Sequence, residues 1–130
     1  MKTTLKFPKD ESQWFDISDH DYAIKTLHAI GDDVKREILI SLIDTPRTIN
    51  EVLRMRHISH TSGYRKVKSL IDDGLLVSTS LSIEYGKPVN RYKSIFKNFL
   101  IQMAENKIIM KIQINSIVRD AHDPPLQLIR

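Results

Sequence analysis

Between His60 and Ser69, the residues Thr61, Ser62, Tyr64, Arg65 and Lys68 bring together two hydroxyls, a phenol, a guanidinium and an ammonium. These groups are the donors that read base edges and hold phosphates in a major groove. Lys87 and Arg91 supply two more cations further along. The chemistry on offer is polyanion recognition. Bond breaking has no counterpart set: no Gly-rich phosphate loop, nucleophile elbow or carboxylate pair spaced on a helix with a histidine occurs, so neither an enzyme nor a cofactor is expected. The absence of cysteine removes disulfides, thiolate metal sites and cysteine nucleophiles. His57 and His60 are spaced as ligands could be, but they straddle a turn, and we read His60 as a helix-start residue near a phosphate. No metal is expected.

The segment that must present these donors is Arg47 to Leu76. Thr48 followed by Glu51 is a capping box, so a helix starts at Ile49, with Ile49, Val52 and Leu53 on one side. It stops near Arg56, where His57-Ile58-Ser59 breaks the periodicity and Ser59 offers a new N-cap. A second helix runs from His60 to about Asp73, with Gly74 as the C-cap residue of positive φ. At 100° per residue Gly63, Val67, Leu70 and Gly74 share its inner face, with Ile71 at the margin. Thr61, Arg65, Lys68 and Asp72 point outward, and Ser62 and Tyr64 flank them. A mid-helix glycine costs about 0.5–1 kcal/mol against alanine, and we take Gly63 to admit a close crossing by the preceding helix, which makes a helix-turn-helix.

The other elements follow in order. Residues 1–17 carry no periodicity and form an N-terminal arm that Trp14 and Phe15 could dock. A first helix is capped by Ser18 with Asp21 and carries Tyr22, Ile24, Leu27 and Ile30 before Gly31. Asp32 caps a second, with Val34, Ile38, Leu39, Leu42 and Ile43 as its stripe, ended by Thr45-Pro46. Leu76 to Ile83 alternates apolar and hydroxyl residues as a half-buried strand does. Residues 84–88 turn, and Val89 to Ile95 returns with Arg91 and Lys93, giving a hairpin with a basic tip and one basic edge. In the last third, residues 98–104 and 107–114 read as strands around Glu105-Asn106. A helix through Phe96, Phe99, Leu100 and Met103 competes, and β-branched enrichment favours the hairpin. This segment is apolar enough that it either covers the core or makes a subunit interface. The tail from Asn115 is expected to be mostly irregular.

The 130 residues suffice for one domain and an appended element. Net charge is +4, unevenly spread: residues 1–46 hold 6 Lys+Arg against 9 Asp+Glu, residues 47–97 hold 10 against 4, and residues 98–130 hold 4 against 3. The basic excess therefore sits on the helix-turn-helix and its hairpin, the footprint of a polyanion partner. The first residues show no signal peptide and no stretch is a membrane span. With no cysteine, a cytoplasmic protein is expected.

The order of elements, with the motifs in residues 27–43 and 47–76 and the hairpin 83–94, resembles the ArsR-like winged helix-turn-helix regulators, archaeal members in particular. The resemblance spans residues 20 to 96. It implies an α+β winged helix-turn-helix of three to four helices plus a β-hairpin wing in residues 18–96. A C-terminal extension in 97–130, read as a second β-hairpin, would cover the core or dimerise. It also implies a homodimeric transcriptional regulator of double-stranded DNA, with Thr61, Ser62, Tyr64, Arg65 and Lys68 as recognition-helix contacts and Lys87 as a wing contact. Arg91 joins them from the charge pattern. The cysteine pair of metal-sensing members is absent, and Asp120-Ala121-His122 lacks the second ligand pair that zinc-sensing members carry. The competing reading is a winged-helix protein-interaction module or a general nucleic-acid-binding, basal transcription component.

Overall fold

A computed structural model describes residues 13–115. The elements are β1 (Trp14–Asp16), α1 (His20–Gly31), α2 (Asp33–Ser41), α3 (Ile49–Met55), α4 (His60–Asp72), β2 (Leu76–Glu84), β3 (Lys87–Ser94), β4 (Phe96–Ala104) and β5 (Lys107–Ile114). The chain is α+β, with antiparallel sheets: a β2–β3 hairpin and a three-stranded sheet ordered β1-β5-β4. Among the described residues no helix is long and apolar enough to cross a membrane.

Local chemistry sets most helix ends. The Asp32 carboxylate accepts from the Lys35 N–H at 2.8 Å and starts α2 as expected. The Thr48 hydroxyl accepts from the Glu51 N–H at 3.2 Å and starts α3. At the start of α1 the cap is Asp19 rather than Ser18, accepting from the Tyr22 N–H at 2.8 Å. The buried face of α1 is Tyr22, Thr26 and Ala29, while Ile24 is exposed. Thr26 can be buried because its hydroxyl donates to the Tyr22 carbonyl at 2.8 Å. Helix α2 ends at Ser41, ahead of Thr45-Pro46. Its last carbonyls are taken by β3: the Ser94 N–H donates to Leu42 at 2.9 Å and the Ser94 hydroxyl to Leu39 at 2.6 Å. Those bonds satisfy the helix end that a longer helix would have covered.

The link between α3 and α4 is a tight stop. The His57 N–H donates to Arg54 at 3.3 Å and the Ile58 N–H to Leu53 at 2.9 Å, with His57 at φ 55°. That is the left-handed helix-ending geometry usually given to glycine. It turns Ile58 back onto α4. A Cβ built on Gly63 would lie 2.6 Å from a methyl of Ile58 and 2.6 Å from a methyl of Leu53, so the close crossing expected at Gly63 is present. Gly63, Val67 and Leu70 are the buried face of α4. Val67 and Leu70 join Ile38, Leu39, Val52, Leu53, Leu75, Ile95, Phe96, Ile112 and Ile114 in one core.

The C-terminal hairpin forms, in place of the competing helix, with Glu105 and Asn106 both at positive φ in a two-residue turn. The N-terminal stretch departs from expectation. Trp14–Asp16 is a strand, paired antiparallel with Lys111 to Gln113 of β5, and the Ile17 N–H continues the ladder to the Met110 carbonyl at 2.9 Å. Three residues are too few to display alternation. The first and last described segments thus share one sheet. The expected irregular tail beyond Asn115 lies outside the described residues.

The inner side of α4 is tied to α2 by polar bonds. Lys66 donates to the second oxygen of Asp32 at 2.7 Å, and Lys35 to the Ser69 hydroxyl at 3.0 Å. The capping bond from Lys35, and next the bond from Lys66, hold the Asp32 carboxyl below the usual carboxylate range. A carboxyl whose folded pKa is depressed stabilises the fold above its unfolded value and loses that contribution as pH falls through the folded one. Asp32→Asn keeps a cap and loses the ion pair. Urea unfolding should therefore show the variant less stable than the native chain at pH 7, by under about 1 kcal/mol, with the gap closing in acid; a gap independent of pH would contradict the account. Gly63→Ala gains up to about 1 kcal/mol of helix propensity but overpacks the crossing by about 1–3 kcal/mol. A net loss is expected, read as a lower urea midpoint, and an unchanged or raised midpoint would mean Leu53 and Ile58 move aside freely.

Candidate nucleic-acid interface

The outer face of α4 is open along its length. Thr61, Tyr64, Arg65, Lys68 and Asp72 are exposed, because the inner face is committed to the core at Gly63, Val67 and Leu70. The rings of His60 and Tyr64 stack with centroids 5.6 Å apart and planes at 23°, which holds the phenol near the start of the helix. Ser62 is half-buried, and its hydroxyl lies 2.9 Å from that of Ser59. Ser59 precedes the helix without capping it by its side chain. The two serines are thus partners of each other, and Ser62 is the least available of the expected contacts.

The β2–β3 hairpin is sharper than expected. The turn is Tyr85-Gly86, at φ 51° and 77°, with Glu84 and Lys87 paired across it. Both central residues need positive φ in this turn, which glycine adopts freely. Glu84 then becomes the anchor of the tip. Its carboxylate accepts from the Thr48 hydroxyl at 2.7 Å and from the Asn50 side-chain amide at 3.1 Å. The hairpin also bonds to the residue before α3, through the Tyr92 N–H to the Arg47 carbonyl at 2.8 Å and the reverse bond at 3.2 Å. These ties lean the tip over α3. Tyr85, 95% exposed, lines a hollow of about 390 Å³ with Asn50, Leu53, Arg54, Ile58 and His60. A neighbouring hollow of about 270 Å³ sets Tyr64 across from Glu84, Val89 and Asn90. The tip and the first turns of α4 therefore lie on one side of the molecule.

Of the expected cations, Lys87 at the tip and Arg65 and Lys68 on α4 are exposed. Arg91 is half-buried and donates to the Ser82 hydroxyl at 3.2 Å. The basic edge expected of β3 is shorter than read, because Lys93 is only 5% exposed. Lys66 faces Asp32. Arg56 lies 3.6 Å from Glu37 and donates to the Ser41 hydroxyl at 2.6 Å. The basic excess of residues 47–97 is thinned in this way to a smaller exposed set. Arg54 adds to it: it is exposed and shares the hollow with His60 and Tyr85.

Arg54, Tyr85 and Glu84 were not among the residues singled out from sequence. A Tyr-Gly pair between two alternating runs is a readable hairpin tip. The contact of Glu84 with Thr48 spans 36 positions and has no local signal. Among the described residues no three His, Asp or Glu side chains are grouped as a metal ion would require. The residues Asp120 to His122 lie outside the described range. Chemically, the surface offers hydroxyl, phenol, guanidinium and ammonium donors, with the Glu84 carboxylate already committed to the scaffold and Asp72 exposed on α4. No protein-family model matches the chain, and no curated protein matches it.

Because Glu84 holds the tip through charge-assisted bonds, Glu84→Ala should lower unfolding free energy by about 1–2 kcal/mol and speed hydrogen exchange at Tyr85 to Lys87 with helix content unchanged. Unaltered tip exchange would show that the turn alone positions it.

Proposed function

We propose that the chain is a winged helix-turn-helix transcriptional regulator that binds double-stranded DNA as a cytoplasmic homodimer. In this reading α4 enters the major groove and the β2–β3 hairpin is the wing, resting on the backbone or minor groove. The observation that carries it is that His60 and Tyr64, in the first turns of α4, share hollows with Tyr85 and Glu84 of the hairpin tip, while Thr61, Arg65, Lys68 and Lys87 are all exposed. The resemblance of the motifs to ArsR-like regulators supports the same reading. No catalytic step or cofactor is invoked.

Thr61, Tyr64 and Arg65 select bases, with Ser62 contributing only if its bond to Ser59 exchanges for one to DNA. Lys68 and Lys87 hold phosphates, joined by Arg54 and, through a guanidinium already oriented by Ser82, by Arg91. Two such units related by a twofold read an inverted repeat with half-sites about one helical turn apart. A second reading, a winged-helix protein-interaction module or general nucleic-acid-binding component, draws on Leu81 and Ile83, 65% and 69% exposed on the hairpin.

In vitro selection of bound DNA at fixed salt separates the two: an inverted-repeat motif is expected, and recovery of no motif favours the second. Arg65→Ala should relax base preference, at about 1–3 kcal/mol on the selected site. Lys87→Ala should weaken all sequences alike and reduce the salt slope by about one unit. Equal effects of both changes on selected and random DNA would end the assignment of roles.

A further inference from the structure

We infer that Tyr85 is a stacking wedge: its ring enters a base step of duplex DNA from the minor groove, unstacks it and bends the helix axis, while Lys87 holds a phosphate alongside. The inference rests on the DNA-binding reading above and names the residue through which the hairpin acts.

A tyrosine is an unfavourable choice for this position. Both central residues of the turn lie in the left-handed region, Tyr85 at φ 51° and Gly86 at 77°, and such turns form most readily with Asn-Gly, Asp-Gly or Gly-Gly. A bulky side chain at positive φ is strained. Packing does not offset the strain, because Tyr85 is 95% exposed. Among the described residues its ring stacks on no other and its hydroxyl has no hydrogen-bond partner. A strained aromatic that the fold does not use points to a role outside the chain. The backbone beneath it is nonetheless held in place, since Glu84 bonds to Thr48 and Asn50 and pairs with Lys87 across the turn. A ring presented on a fixed base loses less freedom when it inserts.

The surroundings of the ring select its occupant. Behind it Ile83 and Pro88 stand opposite each other across the hairpin, and both are exposed. Lys87 is exposed beside them, and the hollow that Tyr85 lines also holds the exposed Arg54 and His60 and no carboxylate. Glu84, the acid of the tip, has both oxygens engaged by Thr48 and Asn50. An apolar wedge flanked by cations fits a base step, which offers π-faces between two rows of phosphates. Strand addition is the other way a hairpin takes a partner, and Pro88 opposes it. Next to the bonded pair Glu84 and Lys87, position 88 directs its backbone nitrogen to the outer edge, where proline has no N–H to donate.

The test uses the whole chain and a duplex carrying the repeat selected in vitro, with fluorescent aminopurine at successive positions across the site and a fluorophore pair on the duplex ends. The native protein is expected to brighten aminopurine at one step in each half of the repeat and to bring the ends together. Tyr85→Phe, which keeps the ring, should do the same. Tyr85→Asn should lose both signals and bind about tenfold more weakly. Its base preference should be unchanged and its urea midpoint equal to or above the native one, because Asn tolerates positive φ. A lowered midpoint would make the tyrosine structural and overturn the inference. So would native protein that binds the repeat without brightening any position, or loss of signal in Tyr85→Phe. Tyr85→Asn bound as tightly as the native chain would also overturn it, and would leave the ring to a protein partner. All of these leave the DNA reading standing, whereas recovery of no motif in the selection removes that reading and the inference with it.

Discussion

The approach of α3 and its exit turn to α4 at Gly63 is the constraint on which the rest of the molecule depends. Methyl groups of Leu53 and Ile58 occupy the place where any other residue would carry a Cβ. That contact fixes which side of α4 is inside, and so which side is left for solvent. The left-handed His57 supplies the other half of the arrangement by ending α3 abruptly and swinging Ile58 onto the glycine. A looser crossing would leave α4 free to roll, and the outward set of Thr61, Tyr64, Arg65 and Lys68 would no longer be one surface.

Around that crossing the polar groups divide their work. Some bind the helices to one another: Asp32 caps α2 with one oxygen and holds Lys66 of α4 with the other. Glu84 bonds the hairpin tip to Thr48 and Asn50. Tyr22, buried enough that its phenol stays protonated far into alkali, donates to the Gly74 carbonyl at 3.0 Å and closes the end of α4. Each such bond withdraws a charge or hydroxyl from the surface. The basic region implied by counting residues 47–97 is in consequence smaller but better focused, with Lys66 and Lys93 removed and Arg54 gathered beside His60 and Tyr85.

The second sheet does two jobs along its length. Near β1 it completes the core through Phe96, Ile112 and Ile114. Toward the turn at Glu105 it runs out past the core with an apolar face, and among the described residues no strand pairs with the outer side of β4. A strand edge is a row of unused backbone groups.

What was legible in the sequence was whatever neighbouring residues decide among themselves. The caps at Asp32 and Thr48, the stop near Arg56, the stripe of Gly63, Val67 and Leu70 and the two hairpins all rest on interactions within a few positions or on periodicity. Asp19 took the cap assigned to Ser18 because adjacent acceptors compete and only the backbone geometry chooses between them. Strand β1 was hidden because its three residues gain their conformation from β5. The site was legible as a set of residue types, Thr61, Tyr64, Arg65, Lys68 and Lys87, and its outward face followed from helix geometry. Which cations remain in solvent and where the hairpin tip rests were settled by tertiary structure alone. Those outcomes depend on partners tens of residues away, such as Glu84 for Thr48 and Asp32 for Lys66, and no local pattern encodes a contact whose geometry exists only once the chain has closed.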